Sequence, residues 1–121
     1  MATKRDYSQL LDPLRENCPV RAALDVIRGR WKPSLLLELK DGPKRYSDFR
    51  DAVSLTGITP QALTVQLRQL EADGVVSRKV YAEIPVRTEY TLTPLGASLS
   101  GVMDQLETWG TKYFAHKREG N

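Results

Sequence analysis

Between Thr59 and Gly74, the side chains capable of recognition chemistry fall on one side of a helix. Leu63, Leu67 and Leu70 are spaced i, i+4, i+7, a narrow apolar stripe that must face inward. With that stripe turned in, Gln61, Thr64, Val65 and Arg68 point outward and Ala62 lies at the edge. These are groups that read base edges. Gln pairs with adenine N6/N7, Arg with guanine O6/N7, and small apolar groups meet the thymine methyl. No acidic residue falls on this face before Glu71, whereas an ordinary solvated helix would more often carry Glu or Asp there. The pattern predicts a base-reading face, with mere solvent exposure as the weaker alternative.

Other residues suit the sugar–phosphate backbone. Ser47 and Thr59 stand at the starts of two helices, where hydroxyls and backbone N–H groups can meet phosphates. Simple helix capping is the plainer role for both, and the two roles are compatible. Lys44 and Arg45 precede the first of these helices, and Arg78, Lys79 and Arg87 lie further on. Arg87, beside a turn, is the strongest of these contacts, although Glu83 and Glu89 blunt the positive field around it.

Cys18 is the single cysteine and precedes Pro19. A thiol at a helix start faces the positive end of the helix dipole, which favours thiolate. Cys18 is therefore a candidate sensor of oxidants or electrophiles, with Arg21 one turn away. A small buried residue at a helix start is the plainer reading. Beyond this, catalytic chemistry is missing. His116 is the only histidine and sits in a polar tail; one His and one Cys cannot make an ordinary zinc site. There is no phosphate-cradling glycine loop, no Ser-His-Asp set and no nucleotide fingerprint. Neither an enzyme, a metal nor a cofactor is expected. A small aromatic effector between the DNA-binding part and the terminal helix is compatible with the aromatic content.

The elements that must position these groups follow from local signals. Asn17-Cys18-Pro19 starts a helix with Pro19 at its first position, and Ala23, Leu24 and Ile27 continue it toward Gly29. Lys32 to Leu39 is a second helix, stopped by Asp41-Gly42-Pro43. A short helix follows, with Ser47 as its expected N-cap and Tyr46, Phe49 and Val53 on one face. After the Gly57 pivot, Thr59 caps a helix that has Pro60 at its first position. The period then changes: Val75 to Tyr81 and Arg87 to Leu92 predict a β-hairpin with Pro85 in its turn. Thr93-Pro94 opens a final helix carrying Leu95, Leu99, Val102, Met103, Leu106, Trp109, Tyr113 and Phe114, about 37 Å of apolar stripe.

Two short helices around a glycine turn, followed by a hairpin, make a winged helix-turn-helix. The fold expected is mainly α with a small β-hairpin (α+β). It divides into an arm (1–17), a winged helix-turn-helix (18–93) and a C-terminal dimerisation helix and tail (94–121). At 121 residues, 40% hydrophobic and 27% charged, the chain suits one globular domain. The net charge of +3 is a mild excess that hides a concentration. From Arg28 to Arg50 seven basic residues face three acids, whereas 94–121 is balanced. A lone cysteine, no bilayer-length apolar run and no signal core fit a cytoplasmic protein with no membrane partner.

The sequence resembles the HxlR-type family of bacterial and archaeal winged-helix transcriptional regulators. The resemblance rests on Cys18-Pro-Val-Arg-Ala-Ala-Leu-Asp-Val-Ile, Gly29-Arg-Trp-Lys, Gly42-Pro-Lys-Arg-Tyr-Ser-Asp-Phe-Arg, Leu63-Thr-Val-Gln-Leu-Arg-Gln-Leu-Glu-Ala-Asp-Gly and Arg87-Thr-Glu-Tyr-Thr-Leu-Thr-Pro-Leu-Gly. Two departures are Pro85-Val86-Arg87, where the family often has Pro-Pro before the basic residue, and Arg28-Gly29-Arg30 before Trp31. The resemblance implies a homodimer on a double-stranded DNA operator, acting as a repressor, with terminal helices at the dimer interface. The residues agree with a dimer. Leu95, Leu99, Val102, Met103, Leu106, Trp109 and Tyr113 offer more apolar surface than so small a domain covers, and Gly96, Gly101 and Gly110 permit close helix approach. A two-fold dimer predicts a near-palindromic site. A winged helix serving a protein partner without specific DNA binding is the competing class.

Overall fold

A computed structural model describes residues 17–120; the expected arm, apart from Asn17, lies outside the described residues. The chain runs through helices α1 (Pro19–Ile27) and α2 (Lys32–Leu39), strand β1 (Lys44–Arg45), helix α3 (Tyr46–Ala52), a 3₁₀ turn (Ser54–Thr56) and helix α4 (Pro60–Ala72). Strands β2 (Val76–Tyr81) and β3 (Arg87–Leu92) follow, then a short helix α5 (Pro94–Ala97) and a long helix α6 (Ser100–Glu119). The core gathers one stripe from each element: Leu35, Leu36 and Leu39 from α2, Phe49 from α3, Leu63, Leu67 and Leu70 from α4, and Val75, Val76 and Tyr90 from the sheet. Phe49 meets Tyr90 edge-on at 5.7 Å, a favoured aromatic geometry.

Three elements differ from the sequence expectation. The hairpin is joined by a third strand, giving the order β1-β3-β2, with Lys44 opposite Tyr90 and Arg45 opposite Glu89. Two residues carry no alternation to read; β3 supplies the pairing that makes them a strand. That strand moves the start of α3, whose N-cap is Arg45 rather than Ser47. The Asp48 carboxylate accepts the Arg45 N–H at 2.8 Å, so an acid inside the first turn does the capping. The single C-terminal helix is in fact two. Around Ser98 and Leu99 the backbone stays right-handed, but Leu99 N–H bonds to Gly96 O three residues back, a tighter turn, and the Ser98 hydroxyl bonds to Leu95 O.

The break has a packing reason. A Cβ on Gly96 would lie 1.9 Å from the Val75 carbonyl oxygen. Gly96 therefore lets α5 close against its own domain, not against a partner helix as the sequence suggested. Thr93 holds the same joint: its hydroxyl donates to Gly74 O at 2.6 Å and accepts Gly96 N–H at 3.0 Å. Gly101 and Gly110 meet nothing within 4 Å. No helix among the described residues is long and apolar enough to cross a membrane.

Candidate nucleic-acid interface

Helix α4 is fixed at both ends and along one side. Thr59, with extended backbone, accepts the Ala62 N–H on its hydroxyl at 3.1 Å, and Pro60 occupies the first position. Gly57 turns the chain into this start with φ +84°, a conformation that favours glycine. The Tyr46 hydroxyl donates to Pro60 O at 3.3 Å and so ties α3 to the start of α4. Leu63, Leu67 and Leu70 are buried. Gln61, Thr64, Val65 and Arg68 are consequently exposed together, and Ala62 is half-buried at the margin. The first acid beyond them, Glu71, is drawn aside by Arg78 at 3.4 Å.

The sheet sorts the basic residues onto two faces. Arg78, Tyr90 and Lys44 share the face that carries buried Val76 and Tyr90, and both basic side chains there are half-buried. Burial of the Tyr90 phenol pushes its pKa up. Arg45, Lys79, Tyr81, Arg87 and Glu89 share the other face, where Lys79 lies 4.8 Å from the Tyr81 ring centroid.

Arg87 sits in a cluster of its own. Its guanidinium lies 3.8 Å from the Tyr81 ring centroid. Nη2 and Nε donate to the two Glu83 oxygens at 2.9 and 3.3 Å, and Nη1 donates to Glu89 at 3.2 Å. Hydrogen bonding to Arg87 holds the Glu83 carboxyl below its ordinary pKa, and the reciprocal bond raises Arg87. The blunting expected from Glu83 and Glu89 is thus direct pairing. Sequence reasoning missed the role of Tyr81; its signal is Tyr81 directly across the hairpin from Arg87, with acids on both sides.

Other basic residues are also less available than their count suggests. Lys32 is buried and contributes no surface charge, and Arg21 is paired with Asp25 at 3.3 Å. Ser47 is half-buried inside α3, whereas Arg45 is exposed. Cys18 is a free, half-exposed thiol at the N-cap of α1. No group of residues among those described could hold a metal ion.

The terminal helices leave apolar surface uncovered. Val20 and Leu24 on α1 are exposed, as are Leu95 on α5 and Val102, Leu106, Trp109, Tyr113 and Phe114 on α6. Trp109 and Tyr113 stack at 5.5 Å with nearly parallel rings. Met103 is buried and Leu99 packs against the core, so these two expected interface residues face their own domain. The crevice they line with Leu36 and Leu92 holds about 20 Å³, room for a water but not an aromatic ring.

The model of the HxlR-like helix-turn-helix family matches residues 26–118. The chain belongs to that family. Among HxlR-like relatives, the uncharacterised HTH-type transcriptional regulator YdeP of Bacillus subtilis is 47% identical over 98 residues, 81% of this chain and 75% of that protein. The reduced form of the redox regulator HypR superposes with a TM-score of 0.77 at 42% identity, covering 84% of this chain and 98% of that one. The reduced form of the transcriptional regulator YodB from B. subtilis matches with a TM-score of 0.69 at 31% identity, covering 79% and 93%. The HxlR-like family is one of winged-helix transcriptional regulators, not enzymes.

Proposed function

We propose that this chain is a sequence-specific DNA-binding repressor that acts as a homodimer. Helix α4 enters the major groove and the hairpin 75–92 serves as the wing. The observation that carries this reading is the acid-free face of α4, where Gln61, Thr64, Val65 and Arg68 are exposed together while the leucine stripe is buried. Backbone contacts come from Lys44, Arg45, Ser47, Thr59, Lys79 and Arg87, with Arg78 a poorer donor because Glu71 holds it. The exposed apolar residues of α1, α5 and α6 support dimerisation, since a patch rich in Trp, Tyr, Phe and Leu is costly to leave in water. The test is selection of bound fragments from the source genome under reducing conditions. A near-palindromic winner, with half-sites about 34–36 Å apart, is expected. No enrichment, with or without reductant, would point instead to a protein partner.

The half-exposed thiol of Cys18, together with the likeness to a redox regulator, supports a response to oxidants or small electrophiles through that residue. Cys18→Ser is expected to abolish release of DNA by diamide. A variant that still releases DNA under diamide ends this part of the reading.

A further inference from the structure

The pairing at Arg87 has an asymmetry that concerns DNA binding. Glu89 belongs to β3, its side chain is largely covered, and it also accepts the Tyr81 hydroxyl at 3.3 Å. Glu83 belongs to the turn, and half of its side chain is exposed. Glu89 and Tyr81 thus hold the guanidinium over the ring, while Glu83 covers its Nε–Nη2 edge with two hydrogen bonds. That edge is the fork geometry by which arginine takes a carboxylate or a phosphate. It borders a groove of about 480 Å³ between the wing turn and the start of α3, lined also by Arg45 and Ser47. Arg45 adds to the field on Glu83 from the other side of that groove. Two cations converge there, and among the described residues the only anion lining the groove is a side chain from a solvent-exposed turn.

We propose that Glu83 is an internal stand-in for a DNA phosphate, which a backbone phosphate displaces from Arg87 when the wing meets DNA; this rests on the DNA-binding reading above. Off DNA, the wing keeps its charge neutralised and its arginine in place. On DNA, Arg87 exchanges one anion for another without leaving Tyr81. The carboxylate limits how tightly the wing grips DNA of any sequence and leaves discrimination to α4.

The test is Glu83→Gln, which keeps the shape and one acceptor oxygen but removes the charge. Wild type and variant are titrated with a random-sequence duplex across a salt series, each also in an Arg87→Gln background. In wild type the displaced Glu83 carboxylate offsets the charge that Arg87 brings to the phosphate. In Glu83→Gln each wing brings one net positive charge more, which steepens the log–log salt slope by about 0.9 per wing and raises affinity at about 0.1 M salt by about eightfold per wing. In the Arg87→Gln background the increase falls to about twofold or less, whereas a general effect of removing negative charge would persist there. Unchanged or weaker binding by Glu83→Gln, at unchanged thermal stability, overturns the proposal while leaving DNA binding intact. Wild type that binds no duplex at any salt overturns the DNA-binding reading, and this proposal with it.

Discussion

Helix α4 and the wing both carry arginine at the surface, but they hold it differently. Arg68 stands exposed on a face with no acid and, among the described residues, makes no ion pair. Arg87 is pinned on Tyr81 between Glu83 and Glu89. Directional hydrogen bonding suits the first, because its donors are unspent. Controlled, sequence-blind attraction suits the second, because its charge is already balanced. On the DNA-binding reading proposed above, discrimination between sequences falls to α4 and the regulation of non-specific affinity to the wing.

The difference between the two regions disappears if their shared support is lost. Gly74 and Val75 join α4 to β2, and α5 packs on that joint through Gly96. Gly96→Ala drives a methyl into the Val75 carbonyl and is expected to cost about 3 kcal/mol or more of stability, measured by chemical denaturation. Leu67→Ala, at a fully buried position on the inner stripe of α4, is expected to cost about 2–5 kcal/mol. Both variants should lose specific and non-specific DNA binding together.

Substitutions on the surface sharpen the contrast. Arg68→Ala should cost about 1–3 kcal/mol on the selected operator and little on random duplex, measured by competition binding. Arg45→Ala should weaken both duplexes alike and reduce the salt slope by about 1 per protomer. The smallest effect is a titration. Resolved by NMR, the Glu83 carboxyl should titrate below the usual carboxylate range because Arg87 donates to it, and return to that range in Arg87→Ala. The sign follows from a carboxylate held low in the folded state. The stability the pair contributes is present above the unfolded carboxyl pKa and disappears as pH falls through the folded value.

Much of this arrangement was legible in the sequence because it is local. Thr59-Pro60 and Thr93-Pro94 mark helix starts by side-chain chemistry alone, and both threonines do cap. The spacing of Leu63, Leu67 and Leu70 fixes which side of α4 faces out. What escaped depends on partners distant in the chain. A two-residue strand at Lys44–Arg45 exists only because β3 lies beside it, and it displaced the cap from Ser47. Lys32 reads as surface charge until the fold buries it. Met103 reads as one more residue of an apolar stripe, yet the turn at Ser98–Leu99 sets α6 so that Met103 packs inward and Trp109 does not. The availability of Arg87 could not be counted from charge; it is set by a tyrosine and two acids that the hairpin brings together.

Reading of sequence by α4 is decided at Arg68. Binding-site selection from a random library should be run in parallel on wild type and Arg68→Ala, with reductant present. A near-palindromic preference is expected for wild type, and the same preference for the variant with discrimination lost at one base position in each half-site. Identical preferences for the two proteins, at every position, would contradict it.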